Sequence, residues 1–209
     1  MLITINGIPG VGKSATCEWL TRRCQDIQWR QTDLGTTIRH LVKKGLNPLS
    51  PEDFVLWQRG FLQAVKMELK RRPQGICLLE NGLEQIVGYS KAIVKLRSKD
   101  DSRWLDSWHI LSQDFAEIRD SVASLTVVLT ADISVVRARR RPRQYEPDYT
   151  GLREAEYELQ SAFVDSLQDF AIDVALLDTT QLSVSEVGRL VAEHISQVLG
   201  HQILVESIA

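Results

Sequence analysis

The chain has 209 residues, 44% hydrophobic and 25% charged, proportions that suit one globular domain with a full core and exclude a disordered or membrane-embedded chain. Twenty-five Lys and Arg oppose 27 Asp and Glu, and the resulting net charge of −2 lacks the basic excess that drives polynucleotide binding. Cys17, Cys24 and Cys77 are odd in number and show no CxxC spacing, which argues against zinc and a disulfide framework and for reduced core thiols.

In chain order, the first element is an apolar strand at 2–6, LITIN, which lacks the charged and apolar succession of a secretory signal, so a cytoplasmic protein is expected. A helix opens near Lys13. IQWRQ at 27–31 is a strand candidate with an apolar core and polar ends. Ser50, Pro51, Glu52 and Asp53 supply a cap, a first-turn proline and two acids, which predicts a helix over 51–71. Strands follow at 76–80 (ICLLE), 125–129 (LTVVL) and 172–177 (IDVALL), each continuously apolar and too short for a helix. A helix is expected over 104–123, and a last one runs from the Ser183/Glu186 capping box to Gly200. Alternating strands and helices predict an α/β three-layer sandwich with about five parallel strands and helices on both faces, in a single domain over 1–209.

Between the first strand and the first helix lies Gly7-Ile8-Pro9-Gly10-Val11-Gly12-Lys13-Ser14, which matches GxxxxGK[ST] at every fixed position in the required strand-loop-helix context. Gly7, Gly10 and Gly12 let backbone N–H groups point inward around a phosphate, and the start of the helix, through Ala15, adds the positive end of its dipole. Lys13 is assigned to the β- and γ-phosphates of ATP and the Ser14 hydroxyl to Mg²⁺. Glu80 ends the third strand at the sheet edge where parallel sheets bind ligands, so it is a candidate to hold Mg²⁺ or to act as base toward an acceptor hydroxyl. A solvated strand-end acid is the bland alternative.

Arginines crowd 137–143, at 137, 139, 140, 141 and 143, where they repel one another unless solvent or an anion screens them. A solvated basic face is the alternative, and the phosphate loop elsewhere in the chain favours a phosphate-facing flap. Five tryptophans, Trp19, Trp29, Trp57, Trp104 and Trp108, are read as core in preference to a partner surface.

Together these motifs resemble the nucleoside and nucleotide kinases that include thymidylate kinase and the deoxynucleoside kinases. Arg137, Arg141, Arg143 and Glu146 fall at the spacing of that group's lid pattern, R-x-x-x-R-x-R-x-x-E, which places a lid at about 137–149. TDLGTTIRHL at 32–41 is similar to the thymidylate kinase segment after the second strand, with Asp33 and Arg39 near the acceptor phosphate. VLWQRGF at 55–61, with Gln58 and Arg59, resembles acceptor-site helices, and Tyr89 lies at the distance of an acceptor-side tyrosine. LLDTTQLSVSEV at 176–187 resembles the loop over the adenine of ATP. In one departure, Glu80 is followed by Asn81 and Gly82 where the group has an arginine, and Arg59 and Arg103 are candidates to replace it.

The resemblance implies an ATP- and Mg²⁺-dependent phosphotransferase in which Lys13, Glu80, Arg137, Arg141 and Arg143 act in catalysis. Its partner would be a nucleotide or nucleoside acceptor, without polynucleotide or membrane, and a homodimer is compatible with it. A deoxynucleoside kinase is the alternative acceptor class. A nucleotide-binding switch with little turnover is the alternative from another class.

Overall fold

A computed structural model of the chain describes residues 1–71, 75–117, 123–140, 155–168, 173–203 and 205. Five parallel strands, β1 (Leu2–Asn6), β2 (Ile27–Gln31), β3 (Ile76–Glu80), β4 (Leu125–Thr130) and β5 (Val174–Asp178), form one sheet in the order β2-β3-β1-β4-β5. Ile3 of the central strand β1 lies in register with Leu78 on one side and Leu125 on the other. The chain thus crosses from β1 to the edge strand β2, returns to β3 beside β1, and then passes to β4 and β5 on the other side, so that the carboxyl ends of β3 and β4 flank the loop after β1.

Helices cover both faces. Alternate residues of β1 face opposite ways. Ile3 and Ile5 enter one apolar cluster with Cys17 and Leu20 of α1 (Lys13–Arg23) and Val191 and Ile195 of α8 (Val184–Leu199). The opposite layer is built from α3 (Pro51–Leu69), α4 (Leu83–Arg97), α5 (Arg103–Ala116) and α7 (Glu156–Gln168), around Phe54, Ile93, Leu111 and Phe163. Two further helices, α2 (Leu34–Lys43) and α6 (Ile133–Arg140), lead away from the carboxyl ends of β2 and β4.

Local chemistry accounts for most helix ends. Ser50 caps α3 by accepting from the Asp53 amide at 3.2 Å, with Pro51 in the first turn. Ser183 and Glu186 close a reciprocal capping box on α8, and Gly200 ends it in the left-handed region at φ 71°. Asp33 caps α2. The expected helix over 104–123 is shorter: α5 ends at Ala116, and Ala123 lies outside any helix, where its N–H donates to Glu84 Oε1 at 2.8 Å. α3 stops at Leu69, two residues before its expected end. β5 begins at Val174 and runs to Asp178. α4 escaped the sequence reading because ten of its residues, Glu84, Gln85 and Ser90 among them, are buried, which erases the polar stripe that marks a surface helix.

The three cysteines are free and buried, as expected. Trp57 and Trp104 are core residues, and Trp19, Trp29 and Trp108 pack at its edge. No helix among the described residues is long and apolar enough to cross a membrane.

Candidate functional site

The loop from Gly7 to Gly12 joins β1 to α1 at the carboxyl edge of the sheet. Gly7 has φ 136°, and a Cβ there would lie 2.3 Å from the Leu129 carbonyl, so this position admits only glycine. Gly10 has φ 97° and sits against Val136 and the stem of Arg140, which brings α6 directly onto the loop. α1 begins after Gly12 with no side-chain cap and no acid in its first turn. Its N–H groups, including those of Ser14 and Ala15, therefore form a donor cluster suited to an anion.

Lys13 is buried, and its ammonium donates to the Gly7 carbonyl at 2.8 Å and the Ile8 carbonyl at 3.3 Å, folding back over the loop. The Ser14 hydroxyl donates to Glu80 Oε1 at 2.7 Å, which joins the first turn of α1 to the end of β3. Glu80 is only 3% exposed, and its Oε2 has no hydrogen-bond partner among the described residues. An orphaned carboxylate oxygen in a buried setting is costly unless something positive completes it. Among the described residues no three His, Cys, Asp or Glu converge as a metal cage. Magnesium suits the pair nonetheless, because it is commonly held by one carboxylate, waters and the substrate's own phosphates. Cys17, one turn into α1, is an unreactive neighbour: burial pushes its thiol pKa far up, Glu80 adds to the shift and Lys13 opposes it.

Behind the loop the sheet carries a buried polar layer that no sequence motif announces. Gln85 of α4 accepts from the Gly7 N–H at 2.8 Å. Asn6 Nδ2 donates to Thr4 Oγ1 at 2.9 Å, and Thr4 and Thr126 sit side by side on adjacent strands. Glu84, wholly buried, holds the Ala123 amide, and its desolvation raises its pKa.

Asn81, where the resemblance leads one to expect arginine, sits at φ 60°. Asparagine is among the few residues that enter this left-handed region at low cost. Its N–H donates to the Ile5 carbonyl at 3.2 Å and its carbonyl accepts from Thr32 Oγ1 at 2.9 Å, tying β3 to both neighbours at the site's edge.

The two arginines offered as replacements already hold carboxylates. Arg59 makes a forked pair with Asp114 at 2.7 and 3.3 Å, and this pairing raises its pKa. Arg103 binds Asp101 at 2.8 Å and Glu52 at 3.2 Å. The remaining acceptor-side candidates are dispersed in their contacts. Asp33, the cap of α2, accepts from the Thr36 amide at 2.8 Å, and hydrogen bonding by the Thr36 side chain and then its amide lowers the Asp33 pKa; Arg39, on α2, donates to Thr36 Oγ1 at 2.7 Å. Gln58 is buried on α3, and the Tyr89 ring meets Phe163 edge to face at a centroid distance of 5.9 Å.

Arg141, Arg143 and Glu146 lie outside the described residues, as does most of the expected lid. Its stem is visible. Arg137 Nε donates to Glu156 Oε2 at 3.1 Å, and Arg140 pairs with Glu156 Oε1. Glu156, the buried first residue of α7, thus organises two arginines. Arg139 points elsewhere, to Val11 and Thr179.

No protein-family model matches the sequence, and no curated protein matches it. Solved structures do match in fold. The thymidylate kinase of Candida albicans is similar with a TM-score of 0.65 at 16% identity, over 100% of this chain and 96% of that one. The deoxyadenosine kinase of M. mycoides is similar with a TM-score of 0.72 with dATP bound (13% identity) and 0.67 with dCTP bound (14% identity), each over 94% of this chain and all of the other. The chain has the P-loop nucleoside and nucleotide kinase fold.

Proposed function

We propose that the protein is a cytoplasmic phosphotransferase that moves the γ-phosphoryl group of ATP, with Mg²⁺, to a nucleoside or nucleoside monophosphate. The observation that carries this reading is the junction of the start of α1, which has no side-chain cap, with the hydrogen bond from Ser14 to the buried Glu80, 2.7 Å long, next to Lys13. A phosphate group seated on the loop would satisfy the amide donors of α1, and Lys13 would exchange its two carbonyl partners for phosphate oxygens. Ser14 and Glu80 would hold Mg²⁺, which when bound neutralises charge on the transferring phosphates.

Glu80 has a second use. With a hydroxyl acceptor, its carboxylate can take the proton as the oxygen attacks phosphorus; a monophosphate acceptor attacks through an oxygen that is already anionic and needs no such base. Arg137, Arg141 and Arg143 would oppose the negative charge that spreads over the phosphoryl oxygens. Acceptor recognition falls to Asp33, Arg39, Gln58, Arg59 and Tyr89, for which the support is the resemblance of their segments.

Asn81 in place of arginine favours a second reading, a protein that binds nucleotide and transfers little. A panel of nucleosides and monophosphates incubated with ATP and Mg²⁺, with products separated by anion exchange, decides between them. A phosphorylated product formed in step with ADP supports the kinase. Intact ATP binding with no product from any common base or either sugar supports the switch.

A further inference from the structure

Arg139 of the crowded segment reaches past its own helix to two separate parts of the donor side. Its Nη1 lies 3.3 Å from the Val11 carbonyl and 2.9 Å from Thr179 Oγ1, and its Nη2 donates to the Thr179 carbonyl at 2.8 Å. Thr179 follows β5 directly and is only 2% exposed. Its hydroxyl lies 3.0 Å from the Val11 carbonyl and 3.0 Å from the Thr130 carbonyl. Its amide also donates to Thr130, at 2.8 Å, so the threonine is fixed to the end of β4. The Val11 carbonyl is therefore met from outside the loop by a guanidinium and by a hydroxyl that is itself immobilised.

The consequence falls on the next residue. Val11 and Gly12 share one peptide unit, and a planar trans peptide points its C=O and N–H in opposite directions. A carbonyl held toward Arg139 and Thr179 forces the Gly12 N–H to point away from them. Gly12 is the residue that caps α1, at φ 107°, so this N–H adjoins the helix's own first-turn donors. A cationic partner on the carbonyl also polarises the peptide and strengthens the N–H as a donor.

We propose that Arg139 and Thr179 are positioning residues that clamp the phosphate-binding loop from behind, fixing the Val11–Gly12 peptide so that the Gly12 amide donates to a polyphosphate. The inference rests on the kinase reading and assigns Arg139 a task different from that of the arginines held by Glu156. The clamp acts on the phosphates whatever base they carry. Lysine cannot replace Arg139, because contact with three acceptors on two residues needs the planar fork.

The test is calorimetric titration of the whole chain with two probes, MgADP and magnesium tripolyphosphate, on the parent, Arg139→Met, Arg139→Lys, Thr179→Val and Thr179→Ser. Losing a charged hydrogen bond to a buried carbonyl should weaken both probes about ten- to thirtyfold in Arg139→Met. Arg139→Lys and Thr179→Val should show most of that loss, while Thr179→Ser, which keeps the hydroxyl, should bind like the parent. In turnover assays the KM for ATP should rise more than kcat falls, since the contact is present before the transition state. Melting curves identify a variant that fails to fold, and the Thr179→Ser against Thr179→Val pair then decides the matter.

Parent-like binding of both probes by Arg139→Met and Thr179→Val overturns the clamp and leaves the kinase reading standing. Loss of MgADP with tripolyphosphate unaffected also overturns it, because the pair would then serve the base. A parent protein that binds neither probe overturns the kinase reading and the clamp together.

Discussion

The donor and acceptor sides proposed for the site are built differently. On the donor side Lys13, Glu80 and Thr179 are 9%, 3% and 2% exposed, and each is bonded to a strand end, to the loop after β1 or to the first turn of α1. On the acceptor side Asp33, Arg39 and Arg59 are exposed on α2 and α3, and each is bonded to a neighbouring side chain or amide of the helical layer. A phosphate-binding loop must present several amides in one geometry, which demands rigid support from the sheet. An acceptor pocket must admit and release a small molecule and can be carried on helices that shift. Substitutions should therefore act on the donor side through turnover or through ATP affinity, and on the acceptor side through the acceptor KM.

The largest effect is expected at Lys13. Lys13→Ala should lower turnover about a hundred- to a thousandfold by removing a preorganised charge from the transferring phosphates. Its loss of stability should be smaller, about 1–3 kcal/mol, from the two hydrogen bonds withdrawn from the buried Gly7 and Ile8 carbonyls. Steady-state rates and melting curves on the same preparation check both halves.

Glu80→Gln comes next, with an expected loss of about a hundredfold or more if Glu80 serves as a base. The Mg²⁺ concentration for half-maximal rate should rise as well. A metal titration that is superimposable on the parent's would remove Glu80 from the magnesium site.

Arg59→Ala probes the acceptor side. Its pair with Asp114 is largely solvated, with the arginine side chain 48% exposed, so the stability change should be small, within about 1 kcal/mol. If Arg59 contacts the acceptor, the acceptor KM rises while the KM for ATP does not. An unchanged acceptor KM would assign Arg59 to the packing of α3 on α5 alone.

The smallest effect concerns pH. Burial raises the Glu84 pKa above its unfolded value, so between the two values the folded chain holds a proton that the unfolded chain has lost. Stability from this group should therefore fall as pH rises from the ordinary carboxylate range through the raised pKa. Glu84→Gln keeps an acceptor for the Ala123 amide and should flatten that slope in urea melts at several pH values.

What was legible in the sequence was whatever short-range chemistry determines. The phosphate loop occupies eight consecutive residues, and the caps of α3 and α8 span three or four, so their spacing survives in one dimension. The parallel sheet followed from runs of apolar residues, buried on both faces in β3 and β4, although the edge strand β5 leaves Val174 and Leu176 exposed. The supporting shell was illegible because its contacts join distant segments: Gln85 to Gly7 across 78 residues, and Thr179 to Val11 across 168. Glu156 was missed for a related reason, since an acid sixteen residues past Arg140 has no periodic relation to it. The crowding at 137–143 showed that these arginines needed partners, but only the fold could divide them between Glu156 and Thr179.

The central claim is that the Lys13, Ser14 and Glu80 cluster transfers a phosphoryl group. The most direct measurement follows label from γ-labelled ATP into a mixture of nucleosides and monophosphates, with Mg²⁺ or EDTA, using the parent and Lys13→Ala in parallel. The account predicts a labelled nucleotide product that requires Mg²⁺ and is at least about a hundredfold slower to form with Lys13→Ala. Label that remains in ATP, or appears only as inorganic phosphate at the same rate in both proteins, would contradict it.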